Sequence, residues 1–379
     1  MKPVLVAGAG FAGAVIAREL ADNGIPVHVI ERREHIGGNA HDYINLHGER
    51  VHRYGPHLLH GDKDSIAIKW LSRFTKWIPY EHRVRALLPN NKTTPLPVNQ
   101  TTLRDVYGFH VDSEEKAEAL LNKVRVHING SPKNTDEFFL ANVGEELANL
   151  FFRPYTQKMW GIAPCKLMPA IGARLPVRTN LDDRYFTDTF QALPAEGYTT
   201  MFERILNHKL ITIDLNTEFS KDMEASYQHC FLSVPIDMYF EYRHGQLPYR
   251  SIIFHEKRCR ETQPAPVINF TDLGRFTRKT QWDLLPNSMR SEDGLHTVTL
   301  EEPCAMDRNP GEYYYPVQNL QSLSGLEKYK EDAKEIKRVT FCGRTGLFRY
   351  IDMVPAVNIH LNMVKEHLRK FQGYERTGP

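Results

Sequence analysis

Val4-Leu5-Val6-Ala7-Gly8-Ala9-Gly10-Phe11-Ala12-Gly13 opens the chain, and Val27-His28-Val29-Ile30-Glu31 answers it about one helix later. The order is apolar strand, glycine turn, apolar-periodic run through Leu20, second strand, acid. Gly8 permits a tight turn, Gly10 lets backbone approach a pyrophosphate, and Gly13 lets the helix pack on the strand. The start of the helix, at Phe11 and Ala12, offers unpaired N–H groups and a positive dipole end to phosphate. Glu31 stands about 20 residues on, where a carboxylate accepts from a ribose hydroxyl. Arg32-Arg33 and Ile36-Gly37-Gly38-Asn39-Ala40 follow. An acid, a basic residue and then a Gly-Gly pair allow a second close backbone approach. This is a pattern of FAD-dependent oxidoreductases of the two-dinucleotide type, so FAD is favoured over NAD. The expected cofactor residues here are Gly8, Gly10, Phe11, Ala12, Gly13, Glu31, Arg32, Gly38 and Asn39.

A chain of 379 residues can bury a large core and divide into two or three subregions. Forty-eight Lys and Arg against 46 Asp and Glu leave a net charge of +2. That gives no global argument for nucleic acid or for an acidic membrane, so any anion site is local. Five scattered cysteines without a C-x-x-C pair argue for reduced thiols and against structural zinc. No apolar run approaches membrane-spanning length. The chain begins in a strand without a signal peptide, so the expected location is the cytoplasm and no metal site is expected.

The expected architecture is α/β. A Rossmann-like FAD-binding domain (1–60 and 336–379) carries an inserted helical domain (101–162) and a mixed β-sheet substrate domain. The latter is drawn from 61–100 and 181–335, with returns to the first domain. Proline-broken apolar runs at 80–100 suit edge strands. Asp112 or Ser113 caps a helix with Glu114 and Glu115 in its first turn. Phe139, Val143, Leu147, Leu150 and Phe151 form a helical core stripe. Residues 163–180, dense in proline and glycine with Arg174 and Arg178 between, read as a long mobile loop. From 210 to 302, runs at Leu210–Leu215, Cys230–Val234, Ser251–Phe254, Pro266–Phe270 and His296–Leu300 read as a mixed sheet over a substrate site. Val339–Arg344, Ile351-Asp352-Met353 and a last helix with Val357, Leu361, Val364 and Leu368 on one face return to the cofactor.

Taken in register, a series of segments resembles the UDP-galactopyranose mutase family. They are Ile36-Gly37-Gly38-Asn39, Tyr54-Gly55-Pro56-His57-Leu58-Leu59-His60, Tyr155 to Gly161, Arg174-Leu175-Pro176-Val177-Arg178, Tyr185-Phe186, Gly197-Tyr198-Thr199, Tyr249-Arg250-Ser251, Val267 to Asp272, Thr277-Arg278, Tyr314-Tyr315-Pro316-Val317 and Gly343-Arg344. The resemblance covers essentially the whole chain. It implies a flavin-dependent isomerase interconverting pyranose and furanose forms of a nucleotide sugar, most simply UDP-galactopyranose and UDP-galactofuranose. Reduced FAD attacks the anomeric carbon and no net electron transfer occurs. It also implies a flavin reductant such as NAD(P)H or a reductase, and a role in cell-surface polysaccharide biosynthesis. The oligomeric state stays open, a homodimer included.

Arg174 and Arg278 are the candidate catalytic residues, since a guanidinium grips diphosphate oxygens bidentately. Tyr155 would stack on the base with Phe151 one turn before it. Tyr185, Tyr314 and Tyr350 would meet the diphosphate. Asn269 would read base or ribose, Trp160 would root the loop, and Arg250 belongs to the same set. His57, Arg344, Asp352 and Met353 would meet the cofactor, while the roles of His57 and His60 stay open. The sequence departs from the family at Lys279-Thr280-Gln281-Trp282, at Ile351 and Val354, and at Glu196, which leaves the sugar open. The same reaction on dTDP-fucose or UDP-N-acetylgalactosamine, an FAD-dependent amine oxidase or dehydrogenase, and a non-catalytic nucleotide-sugar binder are the alternatives.

Overall fold

The computed structural model describes residues 2–173 and 176–376, with side chains to residue 370. The opening stretch forms strand β1 (Val4–Ala7), helix α1 (Phe11–Asp22) and strand β2 (Val27–Glu31). β1 is buried throughout, as an apolar run inside a parallel sheet must be. Its pleat sends alternate side chains to two cores. Val4 and Val6 join Val15, Ile16 and Leu20 of α1. Leu5 and Ala7 join Tyr239, Phe240, Tyr329 and Phe341 on the other face.

The sheet has five parallel strands in the order Ile211–Leu215, β2, β1, His229–Leu232, Val339–Phe341. In chain order this is third, second, first, fourth, fifth, the doubly wound arrangement of dinucleotide-binding sheets. Two runs assigned by sequence to the mixed sheet, Leu210–Leu215 and Cys230–Val234, therefore belong to the parallel sheet. Periodicity identifies a strand but not its neighbour, and crossover connections decide the neighbour here.

A seven-stranded mixed sheet runs in the order Tyr315–Pro316, Tyr249–Cys259, His296–Ala305, Arg278–Gln281, Val267–Phe270, Val84–Leu87, Thr93–Leu96. Thr93–Leu96 contains Pro95 and is the edge strand, where a missing N–H costs no ladder bond. Helices Gln100–Tyr107, Glu114–Val124, Thr135–Leu147 and Arg153–Trp160 form the helical region, with a π turn over Ala148–Phe152. Ser113 caps Glu114–Val124 by accepting from the Lys116 N–H. Leu103, Leu121, Phe139, Val143, Leu147, Phe151 and Phe152 pack together with Val84, Ala86 and Val267 of the mixed sheet. Residues 163–173 hold two short helical turns, Pro164–Lys166 and Pro169–Gly172. The last helix, Met353–Arg376, buries Val357 and Val364 against α1's core, with Leu361 and Leu368 partly buried beside them.

The glycine turn is sterically forced. A Cβ on Gly13 would lie 1.7 Å from the Gly8 carbonyl oxygen, and Gly8 itself has φ +108°. Gly13→Ala is expected to cost about 3 kcal/mol, the upper end for overpacking against backbone, and to abolish cofactor retention. Urea unfolding and the visible flavin absorbance of the purified variant measure both.

Candidate active site

The glycine turn opens onto a cavity of about 330 Å³. Gly8, Gly10, Phe11, Ala12 and Gly13 form its first wall. Glu31, Arg32, Gly38 and Asn39 come from the end of β2 and the second glycine turn, and His57, Arg344 and Met353 from later segments. A Cβ on Gly38 would stand 2.9 Å from Gly10 Cα, so the two turns meet backbone to backbone. The Glu31 carboxylate is pinned at both oxygens, Oε2 accepting from the Ala9 N–H (2.8 Å) and Oε1 from the Arg33 N–H (3.0 Å). A side-chain-free cradle, a helix start and a fixed carboxylate fit the pyrophosphate and ribose of a dinucleotide. Asp352 is exposed and does not line this cavity, although Ile351 and Met353 beside it do.

Sequence reasoning chose Arg32 and passed over Arg33. Both line the cavity, and Arg32 also donates to the Gly311 carbonyl. Arg33 donates to Asn39 Oδ1 (3.0 Å), pairs with Glu312 and lies over the Tyr54 ring at 4.2 Å.

The second half of the site is organised by strand register. Asn269 pairs with Arg278, Arg278 with Glu301 and Glu301 with Phe254 across adjacent antiparallel strands. Directly opposed residues share a face, so these four stand in one row. Arg278 donates from Nε (3.0 Å) and Nη2 (2.7 Å) to Oε2 of the buried Glu301. Glu301 Oε1 and Asn269 Oδ1 are buried without a hydrogen-bond partner. The Arg278 charge reaches Tyr155, His57 and His82. Burial dominates at Tyr155 and pushes its phenol pKa up, with Arg278 opposing and Tyr185 adding to the rise. Tyr155, Tyr185 and Arg278 thus share one neighbourhood. The Tyr185 ring packs edge-on to His82 (5.8 Å) and Phe186 (5.0 Å).

Tyr350 stacks on Tyr315 at 5.7 Å, the Arg344 guanidinium lies 4.4 Å from the Tyr350 centroid, and Trp160 meets Tyr315 at 6.1 Å. Arg344 is held by the carbonyls of Tyr314 and Ile351. The tyrosine in this group is Tyr315 rather than Tyr314. The Tyr314 hydroxyl donates to Glu312 (2.8 Å) and its ring packs on Tyr54 and Phe254. Tyr314 lies just before strand Tyr315–Pro316, and the sequence alone does not say which of the two faces the site.

Arg250 donates to the carbonyls of Met159 (2.8 Å) and Lys158 (3.2 Å), closing the end of helix Arg153–Trp160. Phe151 is 2 % exposed and packs within the helical core. Trp160 is buried with Leu167, Val317 and Tyr315. Arg174 lies outside the described residues. His60 pairs with Asp188 (2.9 Å) and stacks on Phe186. His57 donates from Nδ1 to the Gly55 carbonyl (2.9 Å). Burial first, then His52, Arg344 and Arg278, press its pKa down to about 3 against that carbonyl. His57 therefore keeps a bare Nε2 at neutral pH, between the cavity and the arginine row.

A doubly wound dinucleotide sheet joined to an arginine–tyrosine chamber defines an α/β nucleotide-binding enzyme. Residues 150–350 match the family model described as UDP-galactopyranose mutase, and residues 6–74 match an NAD(P)-binding Rossmann-like domain. The probable UDP-galactopyranose mutase of Klebsiella pneumoniae is 34% identical over 377 residues, covering 99% of this chain and 97% of that one. The dTDP-fucopyranose mutase of Escherichia coli is 33% identical over 363 residues, 93% and 95% of the two chains. A crystal structure of reduced UDP-galactopyranose mutase shares the fold, with a TM-score of 0.77 at 17% identity over 97% of this chain and 94% of that one. The chain belongs to the UDP-galactopyranose mutase family.

Two measurements probe this geometry. Arg278→Ala leaves the Glu301 carboxylate buried and unpaired, at an expected cost of about 1–3 kcal/mol. Adding Glu301→Gln should recover much of that stability but not turnover, as urea unfolding and activity of the double variant would record. The second is acid stability. His57 and His82 protonate near pH 3 in the native protein and near pH 6.5 in the unfolded chain. Below that value the unfolded state binds more protons, so stability present above about pH 6.5 is lost progressively toward pH 3. The urea midpoint should fall between pH 7.5 and pH 5; an unchanged midpoint contradicts the two neutral imidazoles.

Proposed function

We propose that this isomerase, a nucleotide-sugar pyranose–furanose mutase, interconverts UDP-galactopyranose and UDP-galactofuranose with FAD in its reduced form. The observation that carries the reading is the meeting of two sites. The cavity built for a dinucleotide touches the Arg278–Tyr155–Tyr315 chamber through His57 and Arg344. Gly8, Gly10, Gly13, Gly38 and Glu31 would hold the cofactor's pyrophosphate and ribose, and Arg344 a negative charge on its far part. When bound, reduced flavin supplies a nucleophilic nitrogen for the anomeric carbon.

The chain's own task is to let a diphosphate leave and take it back. Arg278 is suited to that because Glu301 fixes its guanidinium plane in advance, so little order is lost when phosphate arrives. Burial keeps the Tyr155 phenol protonated and able to donate toward the diphosphate. Tyr185, Tyr315 and Tyr350 ring the same space, and Asn269 offers a buried amide for ribose or base. His57 presents an acceptor nitrogen and no positive charge. Residues 163–180, with Arg174 in their middle, would close over the bound nucleotide sugar and exclude water. NAD(P)H or a reductase would keep the flavin reduced.

The 33% identity to a dTDP-fucopyranose mutase favours dTDP-fucose as the second reading. Dithionite-reduced protein is expected to convert UDP-galactofuranose to the pyranose form without consuming reductant stoichiometrically, and faster than it converts the dTDP-fucose pair. The reverse preference selects the second reading. One hydride donor oxidised per turnover would assign the chain to the oxidase class instead. Arg174→Ala should lose most turnover while FAD stays bound, and should weaken the change in Trp160 fluorescence on adding UDP.

A further inference from the structure

The turn that delivers His57 hangs from a residue outside both sites. Strand Arg50–His52 ends in His52, which is fully buried and does not line the cofactor cavity. His52 Nδ1 accepts the backbone N–H of His57 at 3.1 Å. Between them Gly55 has φ +82°, and a Cβ there would lie 2.9 Å from Glu301 Oε1 and 3.3 Å from the Phe254 ring. The turn is thus pressed against the partner of Arg278 on one side and places His57 at the cavity on the other.

His52 is held by that bond and by ring packing. With Nδ1 accepting, its proton sits on Nε2, which is buried without a hydrogen-bond partner among the described residues, and burial lowers its pKa to about 4, so the ring stays neutral at working pH. The ring lies against the Trp282 indole at 5.1 Å and meets Tyr198 edge-on at 5.6 Å. Trp282 is fully buried and donates from Nε1 to Thr299 Oγ1 (2.8 Å), on the strand that carries Glu301. Trp282 thus lies one layer behind the cavity, against the residue that holds the His57 turn.

We propose that His52 is the positioning residue for His57: by accepting the His57 backbone N–H it sets the height and rotation of the imidazole that faces the cofactor cavity, with Trp282 as the platform beneath it. The turnover and UDP arms of the test rest on the mutase reading; the flavin spectrum rests only on the cofactor.

The test compares His52→Leu, which removes the acceptor at similar volume, with His52→Asn, whose Oδ1 can stand where Nδ1 stood. His52→Leu should lower kcat per bound flavin about tenfold or more, the scale of a fractional-ångström displacement of a reacting group. KM and the UDP Kd should stay within about twofold of wild type, and the visible band of bound FAD should shift. His52→Asn should return the spectrum, and kcat to within about threefold, because the hydrogen bond is restored. Trp282→Leu should reproduce the spectral shift at smaller amplitude, and serves as the readout if His52→Leu does not fold. An Asn variant as impaired as the Leu variant overturns the proposal. So does a wild-type flavin spectrum in both His52→Leu and Trp282→Leu. Failure of the wild-type protein to isomerise any nucleotide sugar would sink the mutase reading and leave the spectral comparison to decide the role of His52.

Discussion

The missing methyl group of Gly13 is the constraint on which the rest of the molecule rests. A Cβ there would stand 1.7 Å from the Gly8 carbonyl oxygen. Only this contact lets α1 lie directly on β1 with its first turn at the sheet's carboxyl edge. From that seating follow the position of the helix start, the meeting of Gly10 with Gly38, and the locking of Glu31 onto the Ala9 amide. The last helix packs on α1 in turn, through Val357 and Val364. Shape at the opening turn therefore propagates to the C-terminal segment, which supplies Met353 to the same cavity.

The second constraint is the handling of buried charge. Arg278 would be expensive in the chamber alone, and Glu301 equally so; each makes the other tolerable. The pairing uses only Oε2 of Glu301, while Oε1 is buried against Gly55. A glycine at 55 is needed for both φ and space, so the Arg278–Glu301 ion pair and the histidine turn are built around one another. Neutral imidazoles complete the arrangement. His57, His52 and His82 are all pressed toward the uncharged form by burial, so none of these three imidazoles adds a positive charge beside Arg278 at neutral pH.

The dinucleotide half of the molecule was legible because its signal is local. Gly8, Gly10, Gly13 and Glu31 are spaced by one strand–turn–helix–strand unit, and all four line the cavity. The substrate half was legible only down to pairs of adjacent residues. Tyr314-Tyr315 and Glu301-Glu302 are doublets, and sequence does not state which member faces inward. At 314–315 the chain turns Tyr315 toward Trp160 and Tyr350 and leaves Tyr314 on Glu312. At 301–302 the pleat turns Glu301 to Arg278 and Glu302 to His255, Arg275 and Arg308. Parity of this kind is fixed by register with strands dozens of residues away. Phe151 lies in the π turn over Ala148–Phe152 and packs in the helical core.

His52 and Trp282 were illegible for a different reason. Neither touches the cavity, and neither belongs to a motif with a recognisable chemistry. Their connection exists only once Arg50–His52, the Gly55 turn and the strand bearing Thr299 have been brought together. Trp282 stands behind His52, outside the cavity. A ring in van der Waals contact with His52 can alter where the His57 amide finds its acceptor, and so alter the active site without entering it.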